Sequence, residues 1–162
     1  MVNSSAGGPL GVFDSGLGGL TVVQEIWLQL PEEDVIYVGD TARVPYGGRS
    51  AEEIRRFNRE IVGFLVEHGA KLVVFACNTS SALAFPAMQR EFDVPMVEVI
   101  GPGAKAAAQA SRNGRIALWA TEATVRSGAY LRAILAERPR AQVTAVACPR
   151  LVPLIEGGQA RS

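Results

Sequence analysis

At 162 residues, the chain has room for one domain with a sizeable core and is short for two complete ones. Its 16 basic and 16 acidic side chains balance, which argues against nucleic acid or an anionic membrane surface as a partner and leaves any anion to local groups. Two lysines, Lys71 and Lys105, and two cysteines, Cys77 and Cys148, leave few candidates for a pyridoxal phosphate Schiff base and too few for a disulfide framework.

Met1 to Pro9 is a polar tail containing glycine and serine, without the basic and apolar regions of a signal peptide. No apolar run reaches the roughly 18 residues of a membrane span, so a cytoplasmic location is expected. Short β-branched apolar runs then alternate with longer stretches of helical period, the pattern of an α/β fold with a parallel sheet and crossover helices.

The first candidate strand, Leu10 to Phe13, leads into Asp14-Ser15-Gly16-Leu17-Gly18-Gly19. Glycines there permit a tight turn and bring N–H groups to a helix N-terminus, where a carboxylate or phosphate would fit. The loop lacks the lysine of a P-loop and carries Thr21 where a dinucleotide fingerprint needs glycine, so a plain strand-to-helix turn explains it as well. A helix over about Leu20 to Leu30 and a strand over Val35 to Val38 follow. The next loop, Asp40 to Gly47, holds a carboxylate and the Tyr46 phenol, and reads as a substrate-positioning loop or as a surface turn. Ala51 to Glu67 is the best-signalled helix. Ser50 stands three residues before Glu53 as a capping box, and Ile54, Phe57, Ile61, Phe64 and Leu65 form one apolar stripe.

The third strand, Leu72 to Ala76, delivers Cys77-Asn78-Thr79-Ser80-Ser81 to a helix expected over Ser81 to Phe92. A cysteine at a strand's end, before an amide and three hydroxyls, is unusual for inert core. Helix N-terminal N–H groups there are expected to lower its pKa from about 8.5 and make a thiolate accessible at neutral pH. Strands over Met96 to Val99, Ile116 to Trp119 and Val143 to Ala147 alternate with helices over Ala104 to Ser111, Thr124 to Ala136 and Leu151 to Glu156. Gly101-Pro102-Gly103 interrupts the pattern, so a boundary is placed near residue 100, with units over 1–100 and 101–162. After the fifth strand, Thr121 and Thr124 stand at a helix start, where either serves as an N-cap. Ligands of open parallel sheets bind beyond the carboxyl ends of the strands, so these loops together form the candidate site.

Asp14-Ser15-Gly16-Leu17-Gly18-Gly19, Pro45-Tyr46-Gly47, Cys77-Asn78-Thr79 and Ala147-Cys148-Pro149 with Leu151-Val152-Pro153 resemble, in this order, the glutamate racemase branch of the aspartate/glutamate racemase superfamily. The resemblance covers Gly11 to the C-terminus. It implies an α/β, parallel-sheet, three-layer sandwich of two lobes facing one cleft. The implied activity interconverts L- and D-glutamate without pyridoxal phosphate, any other cofactor or a metal, and supplies D-glutamate for peptidoglycan. By motif, Cys77 is one acid/base, Asp14 and Ser15 border the reacting amino group, and Pro45, Tyr46 and Gly47 meet the substrate. Asn78, Thr79, Thr121 and Thr124 hold its carboxylate or neighbouring groups.

The residue types suit that chemistry independently. Racemisation removes a very weakly acidic α-proton from one face and returns a proton to the other, so two groups stand on opposite sides of the carbon. Hydroxyls, amides and N–H groups around the carboxylate stabilise the charge that develops. The resemblance places the second thiol in a later Gly-Cys-Thr-His segment that this sequence does not contain. Cys148, followed by Pro149-Arg150, matches the family's earlier Ala-Cys-Pro site and reads as structural, and His68 reads as a helix-end residue. Negligible steady-state turnover is therefore expected of this chain alone, and, if it is the whole polypeptide, an uncovered apolar face implies instability or pairing with another chain, a homodimer included. The alternatives are a non-catalytic amino-acid-binding remnant and an aspartate or hydantoin racemase relative.

Overall fold

Four parallel strands form the central sheet of the computed structural model, which describes residues 7–158. They are β1 (Leu10–Asp14), β2 (Val35–Gly39), β3 (Leu72–Phe75) and β4 (Met96–Glu98), in the order β2-β1-β3-β4. Central β1 is buried along its whole length, as expected of a strand covered on both faces. Alternation along it sends Val12 to one face and Phe13 to the other. Val12 packs with Val74, Ala76 and Val23 of α1 (Leu20–Gln29). Phe13 meets Phe75 edge-on, with ring centroids 4.6 Å apart, beneath Ile54, Phe57, Ile61 and Leu65 of α2 (Ala51–Glu67). Helix, sheet and helix thus make three layers.

The capping box predicted for α2 is complete: the Glu53 N–H donates to Ser50 Oγ at 3.2 Å, and the Ser50 N–H donates to Glu53 Oε2 at 3.0 Å. The helix after β3 departs from expectation. It begins at Asn78, because Ser81 lies inside the first turn with its hydroxyl donating back to the Cys77 carbonyl at 2.9 Å. It then divides into α3 (Asn78–Leu83) and α4 (Phe85–Glu91), since Pro86 has no N–H with which to continue the first helix.

α5 (Ile100–Ala110) likewise starts earlier than expected. Its first turn absorbs Gly101-Pro102-Gly103, where proline's missing N–H would have had no helical partner. The Glu98 carboxylate accepts from the N–H groups of Ile100 and Gly101. β5 (Arg115–Ala120) and β6 (Gln142–Ala147) pair in parallel as a second sheet. Between them, the single predicted helix is split into α6 (Glu122–Ser127) and α7 (Ala129–Glu137) by Gly128, whose φ of 65° is left-handed. The last helix is α8 (Leu151–Glu156). All strands of the first sheet precede residue 100 and both strands of the second follow it.

Candidate functional site

The chain leaves β1 for α1 on one face of the first sheet and leaves β3 for α3 and α4 on the other. Oppositely directed connections from adjacent strands open a crevice at their carboxyl ends. Ser15 and Cys77 meet in it, the thiol donating to Ser15 Oγ at 3.6 Å. A cavity of about 270 Å³ opens from there toward the second sheet, lined by Ser15, Tyr46, Gly47, Cys77, Asn78, Thr79, Thr121 and Thr124. Eight residues named from the sequence thus share one cavity.

Asp14 and Pro45 do not line it. Asp14 is buried behind Ser15, where Oδ2 accepts from the N–H groups of Gly16 at 3.1 Å and Gly19 at 3.2 Å. The third donor of this loop, the Leu17 N–H, reaches Glu156 Oε1 of α8 at 3.1 Å. The anion expected on the glycine loop is therefore supplied by the protein's own carboxylates. Pro45, joined to Val44 by a cis peptide, lies in a smaller neighbouring cavity with Gly48 and Pro149.

The Asp40 loop is more than a surface turn. Asp40 and Tyr46 are both buried, and the phenol donates to Asp40 Oδ2 at 2.5 Å. Arg43 ties the same carboxylate to α2, with Nε 3.4 Å from Asp40 Oδ2 and Nη1 2.8 Å from Glu60 Oε2, while its guanidinium stacks over Phe57. Burial, then the bond to Asp40, push the Tyr46 pKa well above the ordinary phenol range. The phenol is a fixed neutral wall of the cavity. Gly47 must lack a side chain, because a Cβ there would sit 2.9 Å from Thr121 Cβ.

Three hydroxyls line the cavity beside Gly47. Thr79 Oγ1 lies 3.0 Å from Thr121 Oγ1 and 3.3 Å from Thr124 Oγ1, and the Thr121 hydroxyl donates to Thr124 at 3.0 Å. Thr121 is the N-cap of α6 and accepts from the Thr124 N–H at 3.3 Å. Asn78 Oδ1 accepts from Tyr130 Oη of α7 at 2.6 Å, which commits the amide oxygen and leaves its NH₂ to serve as a donor. Sequence reasoning missed Tyr130 and Glu156, since nothing local tells which face of α7 or α8 meets the first sheet.

The thiol itself corrects an expectation. Cys77 is the N-cap of α3, yet its pKa is raised. Burial is the largest cause and the Asp14 carboxylate adds to it. Donors from Ser80 and Ser15 pull the other way without prevailing. Cys148 also borders the cavity, with its thiol 3.7 Å from the Val146 carbonyl of its own strand. His68 is the C-cap of α2, its ring against Phe64. No group of three or more metal-ligating side chains occurs among the described residues.

Residues 19–161 match the family described as Asp/Glu/Hydantoin racemase. A glutamate racemase from Desulforudis audaxviator is 53% identical over 154 residues, covering 95% of this chain and 56% of the relative. One from Geobacter metallireducens is 52% identical over 149 residues, covering 92% and 55%. Among solved structures, glutamate racemase from Bacillus anthracis superposes with a TM-score of 0.87 at 40% identity, over 96% of this chain and 57% of that one. The Francisella tularensis enzyme in complex with D-glutamate gives 0.86 at 38%, over 94% and 57%. The chain thus spans little more than half the length of these relatives. Parallel sheets, a thiol and hydroxyls around one crevice, and identity near one residue in two along nearly the whole chain lead to one conclusion: the chain belongs to the Asp/Glu/Hydantoin racemase family.

Proposed function

We propose that this chain builds one wall of a glutamate racemase site, in which Cys77 exchanges the substrate α-proton without cofactor or metal. The observation that carries the reading is the Cys77 sulfur beside Ser15 in a cavity that the Thr79, Thr121 and Thr124 hydroxyls also line. A bound amino acid with its carboxylate on those hydroxyls and the Asn78 amide turns its α-carbon toward the sulfur. The same donors stabilise the charge that appears there as the proton leaves. Asp14, behind Ser15, orders the ammonium side, and Tyr46 with Gly47 limits the side-chain space.

The raised thiol pKa fits the task. The α-proton is far less acidic than any thiol, and a more basic sulfur is the better acceptor once ionised. In this reading the two sheets are the two lobes of the cleft, the protein is cytoplasmic, and its product feeds peptidoglycan. Among the described residues no helix is long and apolar enough to cross a membrane. Pairing of two copies is assigned to the exposed register partners Trp119 and Val146, and sedimentation of a Trp119→Ser variant as a monomer beside a dimeric parent tests it.

The decisive experiment incubates the protein with each glutamate enantiomer in deuterium oxide and follows α-deuterium by mass spectrometry. One thiol acting alone puts deuterium into one enantiomer, and Cys77→Ala abolishes the signal while Cys148→Ala keeps it. Glutamate binding with no exchange would leave an amino-acid-binding protein in place of an enzyme.

A further inference from the structure

We propose that Ser80 is a positioning residue for the Cys77 sulfur, its buried hydroxyl reserved as the hydrogen-bond donor that the sulfur receives when it gives up its proton. The inference rests on Cys77 being the reacting thiol and adds the group that supports it from behind.

Ser80 is fully buried, and among the described residues its Oγ has no hydrogen-bond partner. That is unusual for a helical serine, which ordinarily donates to a carbonyl one turn back. Ser81, the next residue, does this, reaching the Cys77 carbonyl at 2.9 Å. Ser80 occupies the third position of α3, and Cys77 is the N-cap. Those two positions face each other across the first turn of a helix, as Ser50 and Glu53 do in α2. The hydroxyl and the N–H of Ser80 both favour the ionised form of the sulfur, while the neutral thiol donates to Ser15 Oγ at 3.6 Å.

The protonated and ionised thiol treat this hydroxyl differently. A neutral thiol is a weak acceptor and leaves the buried oxygen unsatisfied, at a cost in free energy. A thiolate is a charged acceptor and satisfies it. The arrangement therefore favours ionisation, opposing the burial and the Asp14 charge that disfavour it. The other titratable groups facing the sulfur are Tyr37 of β2 and Tyr46, and both phenols are raised above their ordinary range by burial first.

The test titrates Cys77 in a Cys148→Ala background, following thiolate absorbance in the ultraviolet between about pH 6 and 10.5, with Ser80 and with Ser80→Ala. The expected result is a midpoint at least about one pH unit higher in Ser80→Ala, a tenfold loss of thiolate below the midpoint. Thermal stability near neutral pH is expected to be unchanged or higher, because an unsatisfied hydroxyl is removed. Equal midpoints overturn the proposal while leaving Cys77 as the base. A clear loss of stability also overturns it, by showing that the hydroxyl serves the fold. If neither protein ionises before it unfolds, the proposal and the role of Cys77 fall together. Deuterium exchange with glutamate, run on the same samples, reports on the substrate assignment separately.

Discussion

Thr79 Oγ1 of α3 and Thr121 Oγ1, at the start of α6, lie 3.0 Å apart, so the two sheets are joined across the cavity by a hydroxyl pair. Neither oxygen is committed to a carboxylate of the protein. Each retains capacity to donate to an anionic ligand by rotating its hydrogen, which a valine of the same shape cannot do.

Thr79→Val is therefore expected to weaken glutamate binding by about tenfold or more, the scale of one hydrogen bond to a charged group. Calorimetric titration reads this directly, and unchanged affinity would remove Thr79 from the site. Thr121→Val has a second cost, loss of the α6 N-cap, expected at about 1 kcal/mol of folding stability.

Alkaline solution is expected to destabilise the fold. Burial holds the folded Cys77 pKa above its unfolded value, near 8.5, so in that interval the folded chain keeps a proton that the unfolded chain has released. Stability is then full below about pH 8.5 and falls as pH rises toward the folded pKa. Tyr46 acts in the same direction at higher pH, above about 10. Urea midpoints measured across this range are expected to fall less steeply for Cys77→Ala. Parallel curves for the two proteins would contradict the assignment.

Gly47→Ala forces the Tyr46 turn away from Thr121, since the added methyl would meet that side chain at 2.9 Å. The structure gives the backbone no slack there: Tyr46 is pinned by Asp40, and Asp40 by Arg43. The expected outcome is weakened glutamate binding by roughly tenfold, with a melting temperature lowered by a few degrees. A variant that binds as tightly as the parent would show that the cavity wall yields.

Ser50→Ala, outside the cavity lining, removes the side-chain half of the α2 capping box, the bond from the Glu53 N–H to Ser50 Oγ, and leaves the backbone N–H at that position to donate to Glu53. It is expected to cost about 1 kcal/mol in chemical denaturation and to leave glutamate binding untouched. A change in affinity would mean that α2 transmits its strain to the Tyr46 loop through Glu60 and Arg43.

All six strands were legible to within a residue or two at each end, because short β-branched runs bounded by turn residues carry their own punctuation. α2 was legible to the residue, its start written by Ser50 and Glu53 and its stripe by Ile54, Phe57 and Ile61. The divisions at Ala84 and Gly128 were not, since helical period continues across both and only a missing N–H or a positive φ breaks it. At the site, the sequence named the residues around Cys77 but misjudged the electrostatics. A helix start is a local feature that can be read from neighbours. Burial beneath Asp14 and Ser15 comes from the pairing of β1 with β3, residues some sixty positions apart in the chain. The carboxylates on the glycine loop escaped notice for the same reason.

Glu156 and Leu17 are separated by 139 positions. During synthesis at roughly 5–20 residues per second, the nascent loop after β1 waits on the order of ten seconds for the side chain that completes it. Throughout that interval the Leu17 amide has only water to bond.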